Sequence, residues 1–155
     1  MVNVLFICHG NICRSPMAEF VFRDIAAKCG CENEFLIASA ATSDENVWNG
    51  VGAPVYPQAK AELFKHGLTC EEKRAVQLRK DDYGKYDMFV CMDSSNVRNS
   101  LRIFGGDPEN KITRLMSWAG EERDVSDPWY TRNFTVAYDD IVTGCTALFE
   151  RLYND

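Results

Sequence analysis

The sequence predicts an α/β fold: a single-domain, three-layer sandwich with a four-stranded parallel sheet and helices on both faces. Three observations carry this. Short, almost uninterrupted apolar runs recur along the chain, as strands buried on both faces require. Segments of helical periodicity lie between them, and strands alternating with helices imply right-handed βαβ units. No linker, repeat or low-complexity stretch divides the 155 residues, a length suited to one core.

The elements follow in order. Residues 2–7 (VNVLFI) form the first strand, and the polar loop CHGNICR comes directly after it. Ser15-Pro16 pairs an N-cap residue type with proline at the first helical position. Met17, Val21 and Ile25 then give residues 16–28 an apolar helical face, closed by Gly30. Residues 35–39 (FLIAS) are the second strand. Residues 42–57, rich in Ser, Asp, Asn, Gly and Pro, read as a long loop of the size that often carries function. Residues 58–66 read as a helix ending at Gly67, and residues 87–92 (DMFVCM) as the third strand. Asp93-Ser94-Ser95 can cap a helix running to Phe104. Residues 111–115 (KITRL) are a weaker fourth strand, residues 117–132 a second long loop, and residues 134–152 the last helix.

Composition narrows the function. The net charge of −6 argues against nucleic acid and anionic membranes as partners. Any anion must be held by a compact local device. Seven cysteines are an odd number, and their spacing gives neither zinc knuckles nor a secreted disulfide framework. The first apolar run is too short for a signal peptide, and no run reaches transmembrane length. We therefore expect reduced thiols, a cytoplasmic location, and no metal or cofactor.

Two C-x5-R matches occur, Cys8–Arg14 and Cys145–Arg151. With seven Cys and ten Arg in the chain, one match by chance is unremarkable. Cys145–Arg151 lies in a helical pattern with its cysteine on the apolar face, and reads as core. Cys8–Arg14 sits between a buried strand and a helix start, at the strand end where α/β sheets bind ligands. Gly10 and Asn11 tolerate positive φ, so the loop can curl its N–H groups into an anion nest. The helix N-terminus adds a favourable dipole, and Arg14 a planar fork for two phosphoryl oxygens. Cys8 then floors a phosphate-sized bowl whose positive field favours the nucleophilic thiolate.

The stretch LFICHGNICRSPMAE resembles the signature of low-molecular-weight protein tyrosine phosphatases. The resemblance extends through Ser39-Ala40-Ala41, Cys91-Met92-Asp93 and Asp127-Pro128-Trp129-Tyr130, and so spans essentially the whole chain. It implies a flavodoxin-like strand order 2-1-3-4 and hydrolysis of protein phosphotyrosine and small aryl phosphates through a phosphocysteine. Cys8 is then the nucleophile, Arg14 the transition-state ligand and Asp127 the general acid. His9, Gly10, Asn11, Ile12 and Cys13 complete the phosphate-binding loop, with His9 on its rim. Ser15 hydrogen-bonds the Cys8 sulfur, and Ser39 with Asn11 holds the loop's shape. The family often completes that network with a His. The corresponding position here is Lys73, which reads as a solvated surface lysine.

Trp48, Trp129 and Tyr130 are expected to line a slot deep enough for phosphotyrosine, and Ile12 to favour that substrate over phosphoarginine. Cys13 is implied as a reversible disulfide partner of Cys8 under oxidation. The loop at 43–54 is longer than is common in the family. A monomer inhibited by phosphate and vanadate is expected. Two competing readings are arsenate reductase, which needs further resolving cysteines, and a non-catalytic phosphate-binding or redox-sensing module.

Overall fold

The computed structural model of the chain describes residues 1–70 and 72–154. Strand β1 (Val2–Cys8) alternates its side chains across the sheet, so that Val4, Phe6 and Cys8 enter one core and Leu5 and Ile7 the other. It is flanked on both sides by parallel partners, β2 (Phe35–Ala41) and β5 (Met88–Cys91). Strand β6 (Ile112–Arg114) pairs with β5, giving the order β2-β1-β5-β6. That is the expected four-strand order. The numbering runs higher because a separate two-stranded hairpin, β3 (Val47–Trp48) and β4 (Val51–Gly52), lies between β2 and β5 in the chain.

Helices α1 (Arg14–Lys28), α2 (Pro57–Lys65) and α5 (Phe134–Tyr153) cover one face. Phe6, Phe22, Leu63, Ile141 and Leu148 are fully buried there. Helix α3 (Ser94–Phe104) and a 3-10 turn at Lys80–Gly84 cover the other, around Phe89, Cys91 and Phe104. Cys145 packs in the first core with its sulfur 3.7 Å from the Ala18 carbonyl oxygen, which accounts for the second C-x5-R match as packing.

Three expectations need correction. The 42–57 loop contains the β3–β4 hairpin, because Asn49 and Gly50 both take positive φ (51° and 78°), as a tight two-residue turn demands. The 117–132 loop contains the short helix α4 (Pro128–Thr131) and the end of a 3-10 turn at Leu115–Ala119. Ser15 does not cap α1: the helix starts at Arg14 with Cys13 at the cap position and no side-chain cap bond. The Ser15 hydroxyl is turned toward Cys8 instead.

Residues 74–78, unassigned in the sequence, meet the free edge of β2 at its last residue, Ala41. Ala41 donates to the Val76 carbonyl at 2.7 Å, and Leu78 donates back to Ala41 at 2.7 Å. This segment also meets the hairpin side, where Ala75 N donates to the Ala53 carbonyl at 2.9 Å.

Candidate active site

Strand β1 ends at Cys8 and helix α1 begins at Arg14, so the five residues between them turn the chain through a tight loop. Asn11 makes the turn with φ of 55°, a conformation asparagine tolerates better than most residues. Gly10, expected to share that role, does not have positive φ. A Cβ there would lie 2.6 Å from Asn46 Nδ2 and displace that side chain, which donates to the Gly10 carbonyl at 3.0 Å.

The Cys8 sulfur is buried at the start of this loop, with Ser15 Oγ 3.0 Å away and Asn11 N donating to it at 3.2 Å. The Ser15 hydroxyl and the Asn11 N–H thus meet at one sulfur, just ahead of the start of α1. The network behind the loop is built from buried side chains. Asn11 Nδ2 donates to Ser15 Oγ at 2.8 Å and to Ser39 Oγ at 2.9 Å, while Asn11 Oδ1 accepts from Val76 N at 2.9 Å. Ser39 Oγ in turn donates to Glu19 Oε1 at 2.6 Å.

Lys73 corrects the sequence reading most sharply. It is not a solvated surface lysine. Its side chain is 10 % exposed, and its ammonium donates to the Ser39 carbonyl at 3.0 Å while lying 3.6 Å from Glu19 Oε1. Burial pushes its amine below the ordinary lysine value, against the opposing pull of Glu19. Arg23 holds the other Glu19 oxygen at 2.6 Å, so the buried carboxylate is doubly paired.

Arg14 is 5 % exposed and fixed from two sides. Its Nη2 donates to Asp93 Oδ2 at 2.7 Å, and its Nη1 to the Val125 carbonyl at 3.1 Å. Burial opposes the guanidinium's charge, but Cys8, Asp127 and Asp93 together hold it charged beyond its ordinary value. Asp93 does double service, because its other oxygen caps α3 through Asn96 N at 2.8 Å.

Asp127 lies across the cavity, with Oδ2 3.5 Å from Arg14 Nη2 and Oδ1 accepting from Trp129 N at 3.0 Å. Its backbone is extended (φ −93°, ψ 110°), the conformation that the following proline imposes. Cys13 lines the same cavity. Burial, with Cys8 and Asp127 adding, pushes its thiol up to about 12.

The cavity of about 560 Å³ brings together Cys8, His9, Gly10, Ile12, Cys13, Arg14, Asp127, Trp129 and Tyr130 from the sequence reading. His9 sits exposed, 3.2 Å from Glu45. Asn11, Ser15 and Ser39 stand behind the loop rather than in the cavity. Trp48 is the exception. It is 62 % exposed and is not part of the lining, because the hairpin pairing that sets its register carries it outward. Tyr56 takes the place expected of it, its ring 4.9 Å from that of Trp129 and its N–H donating to the Ile12 carbonyl at 2.8 Å. Sequence reasoning missed Tyr56, Glu19 and the arginine-holding role of Asp93. The Ser15-Glu19-Arg23 spacing, four residues each, was an available signal that Glu19 faces the same way as Ser15. Among the described residues, no cluster of three or more His, Cys, Asp or Glu has the disposition of a metal site.

A buried thiol beside a helix start, a clamped arginine and a facing carboxylate define a cysteine-centred phosphate site on an α/β sheet. Residues 3–155 match the family model for low molecular weight phosphotyrosine protein phosphatase, and the chain belongs to that family. It is 34 % identical to the Bacillus subtilis low molecular weight protein-tyrosine-phosphatase YfkJ, covering 100 % of this chain and 98 % of that protein. It is 37 % identical to the low molecular weight phosphotyrosine protein phosphatase of Sus scrofa, covering 97 % and 95 %. The crystal structure of YfkJ from Bacillus subtilis superposes with a TM-score of 0.92 over 99 % of this chain and 96 % of that one. A Vibrio vulnificus Wzb structure in complex with benzylphosphonate superposes with a TM-score of 0.81 at 25 % identity, over 97 % and 98 %.

Proposed function

We propose that the chain is a cysteine-dependent phosphatase that hydrolyses protein phosphotyrosine and small aryl phosphates. The observation that carries this reading is the convergence of Ser15 Oγ and Asn11 N on the Cys8 sulfur, in a cavity that Arg14 and Asp127 share. The Cys8 thiolate attacks phosphorus in line, forming the S–P bond as the P–O bond to the phenol breaks. Arg14, the loop N–H groups and the α1 N-terminus carry the charge of the equatorial oxygens. Asp127 gives its proton to the leaving phenolate. Water then attacks the phosphocysteine, Asp127 takes that water's proton, and the S–P bond breaks to return the thiolate. Ser15 supports the sulfur as leaving group, and Ser39 with Asn11 keeps the loop in register.

Tyr56 and Trp129 wall the cavity, which suits a planar aryl phosphate. The benzylphosphonate in the Wzb complex pairs an aromatic ring with a phosphonate, the same two parts joined through carbon rather than an ester oxygen. The family membership does not favour arsenate reduction, nor does Cys91, which is fully buried with its thiol pushed up to about 12 by that burial. We further propose a cytoplasmic monomer in which Cys13 condenses reversibly with oxidised Cys8. No helix among the described residues is long and apolar enough to cross a membrane. The test is p-nitrophenyl phosphate and phosphotyrosine-peptide turnover with excess EDTA. Hydrolysis that survives EDTA and is inhibited competitively by vanadate and phosphate supports the reading. Loss of activity with EDTA, or full activity in Cys8→Ser, contradicts it.

A further inference from the structure

A second concavity of about 620 Å³ lies beside the catalytic cavity, lined by Ile12, Pro54, Val55, Tyr56, Ala61 and Phe64, with Lys60 as its charged member. Phe64 is 72 % exposed, on the side of α2 that borders this groove. One exposed aromatic on a surface is ordinary. An exposed phenyl ring in an apolar concavity is different, because an occupant can remove both surfaces from water at once.

The groove is continuous with the catalytic cavity. Ile12 and Tyr56 belong to both linings, and the Tyr56 N–H to Ile12 carbonyl bond ties these two residues into a common ridge. A phosphotyrosine side chain in the cavity places its own backbone at the mouth. An extended peptide advances about 3.3 Å per residue, so the chain crosses the ridge within two or three residues. From the shared walls and the apolar lining, we propose that this groove binds an aliphatic or aromatic side chain of the substrate protein, two or three residues from the phosphotyrosine, and so sets sequence preference. The inference rests on the phosphotyrosine reading above. A second copy of the chain is the less suitable occupant, since each copy carries a net charge of −6.

The test uses phosphotyrosine peptides of constant charge in which a single leucine is moved through three positions on either side, with p-nitrophenyl phosphate as the substrate that has no flanks. The expected result is a rise in kcat/KM of about tenfold at one or two adjacent positions. Phe64→Ser and Ala61→Glu should each remove that preference while leaving p-nitrophenyl phosphate turnover unchanged, which also shows that both variants fold. A flat leucine profile in the wild type overturns the proposal, as does a profile that survives both substitutions. A change in sedimentation without a change in profile marks the groove as a contact between copies, and overturns it too. No turnover of any substrate overturns the underlying phosphatase reading, and this inference with it.

Discussion

Asp127 lines the cavity and Lys73 stands behind the Cys8 loop, so their substitutions should differ in kind. Asp127 faces the cavity near Arg14, and in the proposed mechanism it serves only the leaving group and the attacking water. Asp127→Ala should therefore slow phosphorylation of the enzyme by a factor of about 100 or more for phenols that leave poorly, and far less for p-nitrophenol. An equal loss across a leaving-group series would contradict the assignment. Lys73 touches no substrate. It reaches Cys8 through Ser39, Asn11 and Ser15, with Glu19 held alongside. Lys73→Met leaves Glu19 short of a partner, so kcat should fall about tenfold with little change in KM, and Lys73→Arg should recover most of it. A KM effect alone would remove Lys73 from this positioning chain. That Cys8, Arg14 and Asp127 would share one cavity was legible in the sequence, the first two from their loop between strand and helix and Asp127 from its pairing with them and with the aromatics that follow it. Lys73 was not, since an isolated lysine in a polar run looks solvated until the chain fold buries it.

Among the elements, the loop from Cys8 to Arg14 is braced by two segments that also pack on each other. The β3–β4 hairpin and residues 74–78 are pressed together so closely that a Cβ on Gly52 would lie 1.9 Å from the Ala75 carbonyl oxygen. The neighbouring Val76 N–H is the donor to Asn11. Gly52→Ala should cost about 2–3 kcal/mol, since backbone rather than a movable side chain must yield. Calorimetry should register that as a drop of several degrees in Tm, together with reduced activity from a displaced Asn11. An unchanged Tm would show that the hairpin is free to move. The four strands and the four longer helices could be read from apolar runs and periodicity within one to two residues at most ends. The hairpin was overlooked although Trp48-Asn49-Gly50-Val51 carries the Asn-Gly turn signal, because its strands are only two residues long. Trp48 was misplaced for the same reason: strand register, not proximity in sequence, decides which way it faces.

At the scale of the whole molecule, Glu62 ties α2 to α5: its buried carboxylate meets His66 at 3.1 Å, Lys65 at 3.2 Å and Thr135 of α5 at 2.9 Å. Burial alone would raise this carboxyl, but these three partners hold it below the ordinary carboxylate value. A depressed folded-state value means the stabilisation is complete above the unfolded value of about 4.3 and is lost as pH falls through the folded one. Glu62→Gln should thus lower stability at neutral pH, and the gap to wild type should close in acid. A gap that widens in acid would reverse this sign. The cavity at Cys8, by contrast, gathers residues far apart in the chain, from Cys8 on β1 to Tyr130 in α4. The central claim is that phosphate passes through the Cys8 sulfur. Rapid quenching of Asp127→Ala with p-nitrophenyl phosphate, followed by peptide mass spectrometry, tests it directly. The good leaving group spares the first step while the missing base slows the second, so a phosphate adduct should accumulate on the peptide containing Cys8 and be absent in Cys8→Ser. Turnover with no adduct on Cys8, or an adduct on another residue, would contradict the account.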